Sequence, residues 1–221
     1  MPLSPPVFYA GFSTISDDRN DGWLEPPFMS PPDHGVFLVR RPIAYLAGPD
    51  VFMPDAPERA ARKIAICEHY GFHARAPVAE SGTVKLPPWE RIFQANLVMM
   101  EACDIVIANL TPFRGASADA GTLVELGWFG GKGRPVYGYS NDAASFASRS
   151  YAHIARCPDP VAGMEVEDFG LSDNLMIPGL LEEQGIALVL PEDGQSRDFA
   201  CLDVFERCVA LVAVRHGMAP V

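Results

Sequence analysis

The chain has 221 residues, of which 48% are hydrophobic and 20% are charged, as is typical of a folded globular protein. Its net charge of −11 at pH 7 argues against a nucleic-acid polymer as partner, because phosphate backbones bind basic surfaces. A neutral nucleoside or sugar is not excluded. No apolar run approaches the ~18–20 residues of a membrane helix, and the N-terminus lacks the features of a secretory signal. We therefore expect no membrane partner.

The five cysteines are scattered along the chain, and none of them forms a CxxC pair. Neither a zinc site nor a disulfide framework is indicated by this pattern. Reduced thiols in a cytoplasmic protein are the simpler interpretation.

Residues 1–40 differ in composition from the rest of the chain. Three Pro-Pro pairs, at 5–6, 26–27 and 31–32, make regular helix unfavourable there, while aromatic residues are interspersed between them. We predict an irregular, proline-rich N-terminal arm that docks on its own domain or on a neighbouring subunit. A floppy tail is the alternative. Residues 41–221 are predicted to form a single domain.

From residue 41 onward, short apolar runs alternate with segments of helical periodicity. We predict strands at 43–47, 72–76, 105–109, 134–138 and 185–190, and helices at 57–70, 88–100, 119–131 and 199–214. This alternation predicts an α/β fold, a doubly wound parallel sheet of about five strands with helices on both faces. The glycine-rich run 127–133 is predicted to end a helix. No GxGxxG or GxxxxGK[ST] loop is present, so dinucleotide and P-loop chemistry is not supported.

Two carboxylates, Asp119 and Glu125, follow the predicted strand 105–109 where its loop turns into a helix. In an open parallel sheet, the crevice outside the carboxyl ends of the strands is the usual ligand site. A carboxylate at that position can serve as a nucleophile, a base or a group that binds a sugar hydroxyl.

Several segments together resemble the nucleoside 2-deoxyribosyltransferases. They are YLAGPDVF (45–52), NLTPFRG (109–115), DAGTLVELG (119–127), GYSND (138–142) and NLM (174–176). The resemblance runs from about residue 41 to residue 190 and leaves the arm uncovered. It implies a flavodoxin-like fold, active sites at subunit contacts of a homo-oligomer (a dimer or higher), and no metal or organic cofactor. The implied substrates are deoxynucleosides and free nucleobases.

The family cleaves the N-glycosidic bond of a 2′-deoxynucleoside, holds the deoxyribosyl group on a glutamate, and passes it to another base. Glu125 matches the nucleophile, and a carboxylate suits this role because the reacting C1′ develops positive charge. Tyr45 matches the tyrosine that hydrogen-bonds the nucleophile. Gly121 lies one helical turn before Glu125 and leaves its approach open. The alternatives are a solvated glutamate at 125 and a core tyrosine at 45.

Substrate-binding roles are implied for further residues. Asp119 matches the residue that binds the sugar 5′-hydroxyl, where related 5′-monophosphate N-glycosidases have a serine; it can also cap the following helix. Asn174 matches an asparagine that the neighbouring subunit lends to the 5′-hydroxyl, although a turn asparagine is the alternative. Met176 and Gly48 belong to the matching motifs. Phe52 is predicted to stack on the base or else to pack in the core.

Asn96 departs from the pattern. In bacterial members of the family an aspartate is expected at this position, where it protonates the leaving base. An amide cannot be that acid, but it can hydrogen-bond the edge of a base through its donor and its acceptor. Asp50 or a water molecule could deliver the proton instead, and a plain polar helix position is the alternative for Asn96.

Three functions follow from this reading. The leading one is transfer of the deoxyribosyl group between nucleobases in nucleoside salvage, with purines, pyrimidines or both as bases. A nucleoside or 5′-nucleotide N-glycosidase shares the same intermediate and differs only in using water as acceptor. A non-catalytic nucleoside-binding module on the same fold is the third, since a fold alone does not determine function.

Overall fold

The computed structural model describes residues 40–77 and 86–218. The predicted N-terminal arm therefore lies outside the described residues, apart from its last residue. The strands are β1 (Ile43–Ala47), β2 (His73–Arg75), β3 (Ile105–Asn109) and β4 (Val136–Tyr139). The helices are α1 (Ala56–His69), α2 (Pro88–Glu101), α3 (Ala120–Gly131), α4 (Phe146–Ile154), α5 (Met176–Glu183) and α6 (Asp203–Arg215). No helix within the described ranges is both long and apolar enough to cross a membrane.

The four strands form one parallel sheet in the order β2-β1-β3-β4. This is the order of the first strands of flavodoxin-like sheets, and it confirms the predicted fold class. The connections leave in opposite directions from the two central strands, β1 and β3. The switch point of the sheet, where ligands usually bind, therefore lies beyond Ala47 and Asn109.

The predicted fifth strand is reduced to one bridge. Of residues 185–190, only Val189 pairs with β4, through hydrogen bonds from Ser140 N to Val189 O (2.9 Å) and from Val189 N to Gly138 O (3.1 Å). Gly185, with φ at 79°, turns the chain out of α5. Pro191 follows soon after and has no N–H to offer a ladder. Between these two residues, only Val189 is bridged to β4.

Alternation along the strands produces a core on each face of the sheet. Ala44 and Leu46 of β1 belong to one buried cluster, which includes residues of α1 and α6. Tyr45 and Ala47 belong to the other, which includes residues of α2, α3 and α5. Because successive strand side chains point to opposite faces, Tyr45 is directed toward the layer that contains α3.

Helix ends largely follow local signals. The glycine-rich run 127–133 does end α3: Gly133 has φ at 67°, and Arg134 N donates to Phe129 O at 3.0 Å. This is a Schellman cap. The last helix begins at Asp203, four residues later than predicted. The Asn141 amide donates to the carbonyls of residues 198, 199 and 201, which holds that segment out of the helix.

Candidate active site

A cavity of about 350 Å³ lies at the switch point of the sheet. Its walls come from the loop after β1, Pro77 after β2, the face of α2 that carries Ile92 and Asn96, and the first turns of α3. The lining residues are Gly48, Val51, Phe52, Pro77, Ile92, Asn96, Asp119, Gly121, Thr122 and Glu125. The structure thus brings together most of the residues that the sequence analysis selected, and it does so from three separate stretches of the chain.

Glu125 and Tyr45 are in direct contact. The Tyr45 hydroxyl donates a 2.6 Å hydrogen bond to Oε1 of Glu125. The Tyr45 ring is fully buried and stacks on Phe129 of α3, with ring centroids 5.8 Å apart. Packing therefore holds the hydroxyl in place, so the tyrosine fixes one carboxylate oxygen of Glu125.

The environment of Glu125 makes it a weaker acid than an ordinary glutamate. Burial raises its pKa to about 7, the Tyr45 hydrogen bond acts in the opposite direction, and the charge of Asp119 adds to the rise. Burial and the neighbouring Glu125 charge hold the pKa of Tyr45 far above its usual value. The phenol is consequently neutral and acts as a donor, while Glu125 exchanges its proton near neutral pH.

Asp119 caps helix α3 and also lines the cavity. Its Oδ2 accepts hydrogen bonds from Thr122 N at 3.0 Å and from Thr122 Oγ1 at 3.2 Å. Its other oxygen, Oδ1, accepts no hydrogen bond from the described residues. The capping interpretation is therefore confirmed, and it is compatible with a second role in the cavity.

Asn96 faces the cavity from α2, one helical turn after Ile92. No described side chain hydrogen-bonds its amide, which leaves both a donor and an acceptor for a ligand. An amide at this position can recognise the edge of a nucleobase but carries no acidic proton to donate.

Asp50 does not line this cavity and is hydrogen-bonded by Lys63 and Asn109 instead. Its Oδ2 accepts from Lys63 Nζ at 3.1 Å and from Asn109 Nδ2 at 3.0 Å. Burial raises the pKa of Asp50, but the Lys63 ammonium and the Asn109 amide outweigh burial and hold it below the usual value. Asp50 lines a separate, adjacent cavity of about 250 Å³. An ionised, ion-paired carboxylate there is a poor proton donor for a leaving base.

Gly48 allows the loop after β1 to approach β3. A Cβ at position 48 would lie 2.7 Å from the Asn109 Cβ and 2.7 Å from Asp50 Oδ2. Any side chain there would push apart the two strand ends that carry the site.

Phe52 presents an aromatic surface at the cavity wall and is 58% exposed. It is therefore not a core residue. Its ring is parallel to that of Phe113, with centroids 5.5 Å apart, and the Arg114 guanidinium lies over both rings. Arg114 adopts a positive φ of 56°, an uncommon conformation for a residue with a side chain.

Asn174 and Met176 do not reach this cavity within one chain. They line a different hollow of about 380 Å³, together with residues of α3 and α5. The Asn174 amide donates to Glu167 Oε2 at 2.8 Å, and its Oδ1 accepts from Met176 N at 3.2 Å. These two residues therefore belong to a different surface of the chain from Glu125.

The sequence analysis did not select four of the lining residues, namely Val51, Pro77, Ile92 and Thr122. Ile92 lies four positions before Asn96, so helical periodicity could have found it. Thr122 could have been found as the residue capped by Asp119. Pro77 follows β2 and carries no comparable signal. Among the described residues, no group of three or more His, Cys, Asp or Glu side chains is placed to hold a metal ion.

The fold and cavity define an α/β protein of the flavodoxin-like class, with a partly buried, tyrosine-bound carboxylate at its switch point. The family model for nucleoside 2-deoxyribosyltransferase matches residues 44–176, more than half of the chain. The chain belongs to this family, whose substrates are nucleosides and nucleobases.

The chain is also similar to three individual proteins. A 2-desoxiribosyltransferase from Leishmania mexicana has a similar structure, with a TM-score of 0.55 and 29% identity, covering 79% of this chain and 99% of that one. An uncharacterized protein of Schizosaccharomyces pombe is 28% identical, over 79% of this chain and 90% of its own length. A 2-deoxyribosyltransferase from Bacillus psychrosaccharolyticus is 20% identical, with a TM-score of 0.41, covering 72% of this chain and 93% of that one.

Proposed function

We propose that this protein transfers the 2-deoxyribosyl group of a 2′-deoxynucleoside to another nucleobase through a covalent intermediate on Glu125. The observation that carries the proposal is the 2.6 Å hydrogen bond from the Tyr45 hydroxyl to Glu125, at the wall of a cavity of about 350 Å³. Membership of the deoxyribosyltransferase family supports the reaction type.

In the first step, a Glu125 carboxylate oxygen bonds to C1′ as the C1′–N bond breaks. The bonding electrons leave with the base, which takes up a proton. In the second step, a nitrogen of the incoming base bonds to C1′, Glu125 departs as carboxylate, and that base loses its proton. Two displacements at C1′ retain its configuration. Tyr45 occupies one oxygen of Glu125 and leaves the other for C1′.

The remaining residues orient the substrate. Asp119 accepts a hydrogen bond from the 5′-hydroxyl, and its charge disfavours a 5′-phosphate. Asn96 hydrogen-bonds the edge of the base, and Phe52 stacks against its face. Gly48 and Gly121 leave room for the sugar. Water is the proton source for the leaving base, since Asp50 is ion-paired with Lys63.

The proposal also includes an oligomer, in which Asn174 and Met176 of one subunit complete the site of its neighbour. Their location away from the cavity of their own chain supports this assignment. Residues 41–221 form the catalytic domain, and residues 1–40 form the arm. The five free cysteines are compatible with a role in nucleoside salvage in the cytoplasm.

The direct test is base exchange. The purified protein is incubated with a 2′-deoxynucleoside and a second free base, and the new deoxynucleoside is quantified by chromatography. The wild type is expected to form it, and Glu125→Ala is expected to lose all but a trace of the activity. If no combination of donor nucleoside and acceptor base gave exchange, the transferase proposal would be rejected. Free deoxyribose released without an acceptor base would instead identify a hydrolase, and unchanged activity of Glu125→Ala would reject catalysis by this site.

A further inference from the structure

A buried carboxylate lies outside the cavity and is not used by the proposed reaction. Asp173 is 0% exposed. Its Oδ1 accepts from Ser117 Oγ at 2.6 Å and from Asn174 N at 2.8 Å, and its Oδ2 accepts from Ala118 N at 3.1 Å. The carboxylate thus joins the loop that precedes α3 to the segment that precedes α5.

Arg149 of α4 connects the same two segments. Its side chain is 9% exposed, and its Nη2 lies 3.9 Å from Asp173 Oδ2. The guanidinium also donates to the carbonyl of Ala116 at 2.8 Å and to the carbonyl of Ser172. The two carbonyls belong to the loop that precedes α3 and to the segment that precedes α5, so Arg149 holds the backbone of both. A buried charge held by so many partners is costly to disturb.

This network ends directly beside the cavity. Ala118, whose N–H is held by Asp173, is the residue immediately before Asp119. On the other side of Asp119, the Thr122 cap fixes the first turn of α3. The direction in which the Asp119 carboxylate points is therefore set from both sides, by the helix it caps and by Asp173.

We propose that Asp173 is a positioning residue for recognition of the sugar 5′-hydroxyl, acting through the Ala118 backbone on Asp119. This inference rests on the proposed function, in which Asp119 binds that hydroxyl. Asp173 itself lies outside the cavity and touches no substrate. A carboxylate is required because it only accepts hydrogen bonds. An asparagine would direct an NH₂ group at a backbone N–H and would leave the Arg149 charge without its partner.

The test compares two substrates in one protein preparation, a 2′-deoxynucleoside and the 2′,5′-dideoxynucleoside of the same base. The ratio of their kcat/KM values measures recognition of the 5′-hydroxyl, and it does not depend on the fraction of folded enzyme. Asp119→Ala is expected to lower the ratio further than Asp173→Asn does, because it removes the group that binds the hydroxyl and leaves only the contribution of Asn174 from the neighbouring subunit. Asp173→Asn is expected to lower the ratio about tenfold, the effect of weakening one hydrogen bond to a charged group. Activity on the dideoxynucleoside is expected to change little.

Ser117→Ala is the milder variant for use if Asp173→Asn does not fold. It removes one donor to Asp173 and retains the charge, so a smaller fall in the same ratio is expected. A loss of thermal stability with an unchanged ratio in both variants would show a purely structural role and would overturn the inference, while leaving the transferase proposal intact. An unchanged ratio in Asp119→Ala would overturn it by removing the role of Asp119. A wild type without exchange activity would reject both proposals together.

Discussion

The hydroxyl of Tyr45 donates a 2.6 Å hydrogen bond to Oε1 of Glu125, which joins the first strand to the third helix across 80 positions of sequence. The contact forms because Tyr45 faces the same layer as α3, and because the ring is held against Phe129. Glu125 is subject to two opposing effects, since the Tyr45 hydrogen bond lowers its pKa while burial and Asp119 raise it. The Tyr45 hydrogen bond and the Asp119 charge can each be removed by a single substitution.

The first prediction concerns the pH dependence of kcat/KM. The pKa of Glu125 is raised to about 7, and only the carboxylate form is a nucleophile, so activity should rise with pH through about 7. Tyr45→Phe removes the group that lowers this pKa, and the rise should move to higher pH. Asp119→Asn removes a charge that raises it, and the rise should move to lower pH. Shifts of both variants in one direction would contradict this assignment.

The second prediction concerns stability. The pKa of Glu125 is about 7 in the folded protein against an ordinary value of 4.5, so wild-type stability is full below the ordinary value and is lost as pH rises through 7. Glu125→Gln should match the wild type at pH 4. At pH 8 it should be more stable by about 3 kcal/mol, or roughly 6–12 °C in Tm. Thermal unfolding at both pH values measures this difference.

Glu101 provides the control for that experiment. Hydrogen bonds from Lys132 and Arg134 lower its pKa, so its contribution to stability is present above its ordinary value and is lost in acid. Glu101→Gln should therefore show the opposite sign, with the larger loss of stability at pH 8. If Glu125→Gln were also less stable at pH 8, the raised pKa assigned to Glu125 would be wrong.

The third prediction separates two glycines at the cavity. A Cβ at Gly48 would lie 2.7 Å from the Asn109 Cβ, and Gly48→Ala should lower stability by about 1–3 kcal/mol. A Cβ at Gly121 meets only Asp119 Oδ2, at 3.1 Å, and alanine is the better helix former. Gly121→Ala should retain the wild-type Tm but raise the KM. Denaturation and kinetics of both variants test the distinction.

The fourth prediction concerns the ion pair beside the site. Lys63 is 3% exposed and holds the Asp50 carboxylate. Lys63→Met leaves this carboxylate without its main partner and should lower stability by about 3 kcal/mol. Adding Asp50→Asn should restore part of the loss. Because the pKa of Asp50 is lowered, the pair stabilises the protein above the ordinary pKa and loses this effect as pH falls, so the deficit should shrink in acid.

The fifth prediction concerns Asn96. Asn96→Asp places a third carboxyl group in the cavity with Glu125 and Asp119, and mutual repulsion should raise the pKa of the new group. A protonated carboxyl can donate to the departing base. Cleavage of nucleosides with poor leaving bases should therefore accelerate more than cleavage of those with good leaving bases. Equal effects on both classes would indicate that proton delivery is not limiting.

The central sheet and its site were predictable because the signals are local. Residues 43–47 and 105–109 are short apolar runs bounded by polar residues, and the structure contains strands at the same positions. Asp119 is a preferred capping residue directly before an apolar helical segment. The contact of Tyr45 with Glu125 was predicted from the family resemblance, since no local pattern reports a pair so distant in sequence.

Other elements were missed for physical reasons. Helix α4 is only nine residues long and buries only Ala147, so few residues carry its signal. Helix α5 contains Pro178, which reads as a helix breaker, although proline is tolerated in the first turn. The Asp173–Arg149 network joins polar residues of separate segments, and burial of such residues leaves no mark in hydropathy.

The single bridge at Val189 bears on how copies of this chain can associate. An open sheet edge is a template for pairing with another chain, and it exposes proteins to aggregation. Here β4 is covered at its edge by the Val189 segment, and β2 at the opposite edge is only three residues long. We therefore expect copies to meet through helical and loop surfaces rather than by extending the sheet.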